Sequence, residues 1–286
     1  MVRRCLLAVS MVLMLADEAH CSPEAASGAN SELIKPLWEW GIGGATAYVP
    51  DYPASDSYQL RGLGIPYVIY RGDIVRVGDG GVRAMAVDDP TFELDLSLSG
   101  ALNADSDDNE ARRGMPDLDF LVGLGPQLLI DLTDKMARHH WDVRFQSRSI
   151  FAINFDRFKH QGFIFEPRLT YRGRDVFAKG HNVVVSLNVA FATSKLHRYF
   201  YEVPEPYALA TRPAYRGKGG YFGTGLFLGN SLRPHPRWRL FVGARFGYYG
   251  RAANSDSPLF KAPWTYSLFF GLAWTIQESE ETVMRP

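Results

Sequence analysis

An acidic run at residues 105–110 has side chains that could bind a divalent cation. A calcium loop of the EF-hand type needs glycine at its sixth position and glutamate at its twelfth, where this chain has Glu110 and Pro116. We interpret the run as a solvated loop that binds cations loosely at most. His139 and His140 are adjacent, so on a strand they point to opposite faces and do not readily share a metal ion. We therefore expect neither a metal site nor a cofactor.

Nucleophilic catalysis would need a serine or an activating carboxylate beside a histidine. Ser147 and Ser149 follow the two adjacent histidines, but no G-x-S-x-G sequence accompanies them. The glycine pair in residues 77–82 (VGDGGV) fits a hairpin turn rather than a phosphate-binding loop. The sequence predicts no catalytic residue, and we expect a protein that is not an enzyme.

Charged side chains that alternate with apolar ones are the remaining candidates for function. In residues 161–172, Glu166, Arg168 and Arg172 occupy the face opposite an apolar one. On a barrel strand this face is the lumen, so we interpret these charges as a salt-bridged plug, with a charged pore as the alternative. The predicted lumenal charges are Glu93, Asp95, Arg144, Arg148, Glu166, Arg168, Arg172, Arg239 and Arg245.

The elements that must position these charges are strands, because two-residue alternation dominates the chain past residue 37. Most segments are ten to fourteen residues long, whereas soluble strands usually have about 5–6 residues and membrane strands about 9–11. Tyrosine and tryptophan near many segment ends fit the aromatic girdles of an outer-membrane barrel. We predict a transmembrane antiparallel outer-membrane β-barrel, with a soluble β-sandwich as the alternative. Eleven segments are found, near 38–49, 66–77, 81–88, 91–102, 119–132, 141–153, 161–172, 182–193, 220–230, 237–249 and 264–276.

An even strand number is expected of a bacterial single-chain barrel, so eleven segments are one too few or too many. We predict residues 198–203 (RYFYEV) as a short twelfth strand, with a ten-stranded barrel as the alternative if residues 66–88 do not form two strands. Twelve strands counted in this way put the link 103–117 on the periplasmic side. We predict that this link docks a basic partner surface through Asp105, Asp107, Asp108, Glu110 and Asp117.

The composition and the N-terminus bear on partners and location. The chain has 31 Lys and Arg against 31 Asp and Glu, a balance that argues against nucleic-acid binding. A basic start, an apolar stretch at 5–16 and the small residues Ala19 and Cys21 predict a secretory signal cleaved after Cys21, with lipidation of Cys21 as the alternative. We expect a Gram-negative outer-membrane protein in contact with outer-membrane lipid. The predicted divisions are a signal at 1–21, a periplasmic segment at 22–37, a barrel at 38–276 and a polar tail at 277–286.

Several stretches share their order and spacing with a known family. They are residues 48–61 (YVPDYPASDSYQLR), 66–73 (PYVIYRGD), 94–116, 198–200, 208–215, 252–260 and 271–274. On these stretches the chain resembles the MipA/OmpV family of outer-membrane proteins. The resemblance implies a non-enzymatic scaffold that holds a murein lytic transglycosylase and a bifunctional penicillin-binding protein together. A porin-like channel for small solutes is the alternative. The polar tail departs from barrels that end on an aromatic strand residue.

Overall fold

The computed structural model describes residues 34–71, 75–78, 81–88, 92–101, 104–154 and 157–284. The predicted signal at 1–21 and residues 22–33 of the predicted periplasmic segment lie outside these ranges. No helix in the described ranges is long and apolar enough to cross a bilayer.

Twelve antiparallel strands in the described residues pair in a ring. They are β2 (Trp38–Pro50), β3 (Tyr58–Arg71), β4 (Val75–Gly78), β5 (Gly81–Asp88), β6 (Phe92–Ala101), β7 (Phe120–Asp131), β8 (His139–Asn154), β9 (Arg157–Gly173), β10 (His181–Ala192), β11 (Gly220–His235), β12 (Trp238–Tyr248) and β13 (Trp264–Glu278). Each strand pairs with its neighbour along the chain, and β13 pairs with β2, with Leu268 opposite Tyr48, which closes the ring. The predicted outer-membrane β-barrel of about twelve strands is therefore confirmed.

Strand β13 illustrates how alternation builds the two surfaces of the barrel. Leu268 and Phe270 are 49% and 48% exposed on the outer surface, whereas Thr265 and Ser267 are buried inside. Large apolar side chains are exposed on most other strands as well. A continuous apolar exterior of this kind would be unstable in water and is solvated by lipid acyl chains.

The twelfth strand does not lie where the sequence predicted it. Residues Ser194–Tyr201 form a helix, α1, so the strand predicted at 198–203 is wrong. Leu196, His197, Phe200 and Tyr201 are buried, and this spacing places them on one face of a helix. The missing strand comes from the predicted segment 66–77, which contains the end of β3 and most of β4.

The correction changes which end of the barrel each loop occupies. The additional strand precedes the acidic link instead of following it, so one more crossing of the membrane comes before the link. The link 103–117 therefore lies at the end opposite the chain termini, together with the long loops 193–219 and 249–263. Long loops mark the extracellular side of such barrels. The prediction that this link faces the periplasm is wrong.

The two ends of the chain meet at the periplasmic end of the barrel. Strand β1 (Ile34–Pro36) pairs with β14 (Thr282–Met284). The Leu37 amide donates to the Glu281 carbonyl at 2.8 Å, and the Ser279 amide donates to the Trp38 carbonyl at 2.9 Å. The polar tail thus extends β13 to Glu278 and then folds back onto β1.

Candidate functional site

A first group of lumenal charges lies near the periplasmic end. The carboxylate of Glu39 is fully buried and accepts hydrogen bonds from Arg71 and Arg239, each at 2.6 Å. Arg71 also donates to the Pro36 carbonyl at 2.9 Å. These contacts join β2, β3 and β12 and connect the barrel wall to β1.

A second group spans strands β6 to β9 at the same end. Asp142 is fully buried and accepts hydrogen bonds from Arg144, at 2.9 Å, and from Arg172. Lys135 donates to Glu93 at 3.0 Å. Each carboxylate in this group therefore has a cationic partner, as a charge removed from water requires.

A third group lies midway along the lumen. Arg168 donates to Glu166 at 2.6 Å, and a nitrogen of Arg148 lies 3.4 Å from the other carboxylate oxygen. Arg245 donates to the Asn188 side-chain oxygen at 3.3 Å. Glu166 and Arg168 are each 5% exposed, so little bulk water screens this group.

The structure brings eight of the nine predicted lumenal charges into these three groups. They are Glu93, Arg144, Arg148, Glu166, Arg168, Arg172, Arg239 and Arg245. The side chain of the ninth, Asp95, is outside the described part of the structure.

Glu39 and Asp142, the centres of two groups, were not predicted from the sequence. Glu39 stands between two tryptophans, and Asp142 stands between Trp141 and Val143. A single charge that alternates with apolar neighbours was the signal that could have found both residues.

The outer end of the barrel is covered by four loop regions, which we call the outer cap: residues 51–57, 104–119, 193–219 and 249–263. The Tyr201 hydroxyl donates to the Pro53 carbonyl at 3.0 Å, and Ser257 donates to the Tyr201 carbonyl at 2.8 Å. Arg112 donates to the Phe200 carbonyl at 3.3 Å. Helix α1 is therefore held by all three of the other loop regions.

A buried histidine connects helix α1 to the loop 249–263. The amide nitrogen of Asn254 donates to His197 Nδ1 at 2.7 Å, and His197 Nε2 donates to the Gly220 carbonyl at 3.2 Å. Asn254 Oδ1 accepts from the Lys218 amide at 2.7 Å, which fixes the orientation of the Asn254 amide. Burial lowers the pKa of His197, although its hydrogen bond to Gly220 acts in the opposite direction. The contacts select the neutral imidazole.

The acidic link forms part of the outer cap. The amide of Asn109 donates to Asp51 at 2.7 Å, and the backbone amide of Ser106 donates to Asp117 at 2.8 Å. The five predicted docking carboxylates are all exposed, at the outer end: Asp105, Asp107, Asp108, Glu110 and Asp117. Murein lies on the other side of the membrane, so these residues do not face periplasmic enzymes.

A cavity of about 340 Å³ lies between the outer cap and the middle of the lumen. Arg148, Glu166, Arg168 and Arg245 line its lower part, and Phe200 is among the aromatic residues that line its upper part. Within the described residues, no group of three or more His, Cys, Asp or Glu side chains could hold a metal ion.

The closed antiparallel ring, its apolar exterior and its salt-bridged lumen define an integral outer-membrane β-barrel. The family model described as "MltA-interacting protein MipA" matches residues 42–276. The chain therefore belongs to the MltA-interacting protein family, as the sequence resemblance predicted. A comparison with curated proteins gave no match.

Several solved structures are similar to the chain. "NanC porin structure in rhombohedral crystal form" has a TM-score of 0.41 and 7% identity, over 82% of this chain and 98% of that one. "OmpT (in-vitro folded), an outer membrane protein of Vibrio cholerae" has a TM-score of 0.36 and 9% identity, over 89% of this chain and 100% of that one. These scores are below 0.5, so the similarities carry no argument about function.

Proposed function

We propose that this protein is a non-enzymatic outer-membrane scaffold that binds a murein lytic transglycosylase and a bifunctional penicillin-binding protein. Membership of the MltA-interacting protein family, over residues 42–276, is the observation that carries the proposal. The proposal includes export by the signal at 1–21, cleavage after Cys21 and insertion in a Gram-negative outer membrane.

The contacts inside the barrel support a structural role for the lumenal charges. Glu39, Asp142 and Glu166 each bind two arginines from the barrel wall. These ion pairs fill the lumen and connect its strands to one another. The outer cap covers one end of the same lumen. Both features favour a plugged barrel rather than an open pore. A plugged barrel would act through the surface that it presents to a partner.

The periplasmic end is where a murein enzyme would dock. The turns at 132–138 and 174–180 lie there, and Arg138 donates to the Arg174 carbonyl at 3.0 Å, which holds the turns together. Phe177 is 76% exposed and Leu132 is 56% exposed on this surface. Exposed apolar side chains beside arginines are typical of binding surfaces. We therefore propose that these turns, rather than the acidic link, form the docking surface for the transglycosylase.

Crosslinking in native envelopes, followed by purification of the barrel, tests the proposal. We expect the transglycosylase and the penicillin-binding protein to copurify with the unmodified chain. Phe177→Ser should reduce the recovery of the transglycosylase, because it removes the most exposed aromatic side chain of the docking surface. Asp108→Ser on the outer cap is the matched control and should have no effect.

Recovery of neither enzyme with the unmodified chain would contradict the scaffold. Equal recovery with both variants would leave the scaffold intact and contradict only the docking surface.

A porin-like channel is the second candidate, because the lumen contains a cavity lined by arginines. Planar-bilayer recordings distinguish the two functions. A scaffold should give no stable conductance, and Arg168→Ala should lower stability without altering conductance. An ion-selective current that changes in Arg168→Ala would favour the channel.

A further inference from the structure

The barrel wall is interrupted between β3 and β6. Only two residue pairs, Tyr70 with Val77 and Arg71 with Arg76, join β3 to β4, and both lie at the periplasmic end. Within the described residues, no strand pairs with this edge of β3 over residues 58–69. We propose that the wall has a lateral opening here, through which an acyl chain of an outer-leaflet lipid enters the cavity beneath the outer cap.

The hairpin of β4 and β5 is too short to fill the wall. Strand β4 has four residues, whereas a tilted strand needs about 9–11 residues to cross a membrane. The hairpin starts at the periplasmic end and its last residue pair is Gly78 with Gly81, so it ends within the hydrocarbon layer. Two strands separate β3 from β6 at the hairpin, and three strand spacings amount to about 14 Å. Above the hairpin, no strand of the described residues fills this width.

The edge of β3 has a sequence that suits an opening. Pro66 has no amide proton to donate, and prolines in sheets occur on edge strands for this reason. Gly62 and Gly64 are exposed without a side chain, and Leu60 is 72% exposed. Addition of a strand from another chain is disfavoured, because it would need a continuous row of backbone donors. An open strand edge at membrane depth is tolerated where it lines a cavity.

The cavity lies directly behind the interrupted wall. Gln59 of β3 and Ser99 of β6 both line the cavity, so it reaches the two strands that border the opening. The outer cap closes the opening from above, where Asn109 donates to Asp51 at 2.7 Å and to Ser55 at 3.2 Å. The ion group around Glu166 lies below the cavity. The barrel axis is therefore filled above and below the cavity, and the membrane side is its entrance.

The lining of the cavity suits an apolar ligand rather than an ion. The charged residues that line it are balanced, three arginines against three carboxylates: Arg148, Arg168, Arg245, Asp51, Asp119 and Glu166. Leu121, Leu196, Phe200 and Phe222 line the side towards the outer cap, and each is at most 9% exposed. The volume of about 340 Å³ is at the low end of the range for small-molecule sites, about 300–1,000 Å³. It therefore accepts one acyl chain rather than a whole lipid.

The test measures contact between lipid acyl chains and a fluorophore inside the cavity. Bimane is attached to Ser99→Cys in a chain that also carries Cys5→Ser and Cys21→Ser, and the folded barrel is reconstituted in phosphatidylcholine vesicles whose acyl chains carry a nitroxide quencher. We expect a loss of fluorescence, relative to vesicles without nitroxide, comparable to that at Leu226→Cys on the lipid-facing surface. Ser186→Cys is the lumenal control and should keep its fluorescence, because Ser186 is buried on a strand paired on both edges.

A second pair of variants tests the route of entry. Gly62→Phe combined with Gly64→Phe should reduce the quenching at Ser99→Cys, because the two rings would cover the edge of β3. There is room for them, since a Cβ at Gly64 would meet only a carbonyl oxygen at 3.8 Å. Val242→Phe combined with Ala244→Phe, on the paired strand β12, is the matched control and should leave the quenching unchanged.

Heat-modifiable migration in electrophoresis checks that each variant is folded. Gln59→Cys, on the other border of the opening, replaces Ser99→Cys as the labelled position if that variant does not fold. Fluorescence at the labelled position that is quenched no more than at Ser186→Cys would overturn the proposal, as would quenching that the paired phenylalanines on β3 leave unchanged. Disulfide-linked dimers of Leu60→Cys in the membrane would show that a second copy covers this edge, and would also overturn it.

Discussion

At the scale of single residues, the fully buried Glu39 carries the clearest consequence for stability. Replacing it by Gln leaves Arg71 and Arg239 without their shared carboxylate. Losing one member of a buried ion group costs about 3–5 kcal/mol, so we expect Glu39→Gln to unfold at a markedly lower urea concentration. Glu205→Gln, on the exposed part of the outer cap, should unfold like the parent chain. Equal unfolding midpoints for the two variants would show that the ion group around Glu39 does not contribute to the stability of the barrel.

The buried His197 should make the stability of the outer cap depend on pH. Its pKa lies below the ordinary value of 6.5 because the ring is buried, so the closed cap binds the proton less tightly than the open cap. The closed cap has its full stability above pH 6.5. Its stability relative to the open cap decreases as the pH falls below 6.5, by at most about 1.4 kcal/mol per pH unit. We expect external protease to cleave the cap faster at pH 5 than at pH 7.5. In His197→Phe this acceleration should disappear, and an unchanged acceleration would exclude His197 as its source.

At the scale of the element, helix α1 is an amphipathic segment whose order depends on the loops around it. Leu196 is 2% exposed and belongs to a buried apolar cluster that includes Tyr52 and Leu118 of the neighbouring cap loops. Truncation of a buried leucine to alanine costs about 2–5 kcal/mol, and here the cost falls on the cap rather than on the barrel ladder. We expect Leu196→Ala to speed external proteolysis of residues 193–219 while heat-modifiable migration stays normal. Lys195→Ala, on the exposed face of the helix, is the matched control, and equal cleavage in both variants would contradict a packing role for Leu196.

At the scale of the whole molecule, the topology predicts which surface each loop faces. Asp108→Cys should react with a membrane-impermeant maleimide on intact cells, because the acidic link lies at the outer end. Phe177→Cys should react only after the outer membrane is permeabilised. The reverse labelling pattern would show that the barrel has the opposite orientation in the membrane, with the proposed docking surface outside the cell. Barrel orientation follows from the position of the chain termini and of the long loops, so one labelling experiment tests the whole arrangement.

Two-residue alternation along the chain was sufficient to predict the barrel class and eight of the charges that the structure places in the lumen. Alternation is a local property, because successive side chains on a strand point to opposite faces. It therefore predicted that Arg148, Glu166 and Arg168 face the lumen without any knowledge of how the strands pair. The family could also be recognised without the structure, because the order and spacing of short sequence stretches are read directly from the chain.

The position of the twelfth strand and the end of the barrel at which the acidic link emerges could not be predicted from alternation, because both depend on tertiary contacts. Residues 198–203 are rich in aromatic residues, which a strand and a buried helix face accept equally well, and packing against the other loops of the outer cap selected the helix. The twelfth strand lies instead in the β3–β4 region, which precedes the link, so the link emerges at the opposite end of the barrel from the one predicted. The shared carboxylate of Glu39 and the cavity above Glu166 likewise depend on strands far apart in sequence. Local alternation predicts that a residue faces the lumen, but closure of the ring decides which residue it meets there.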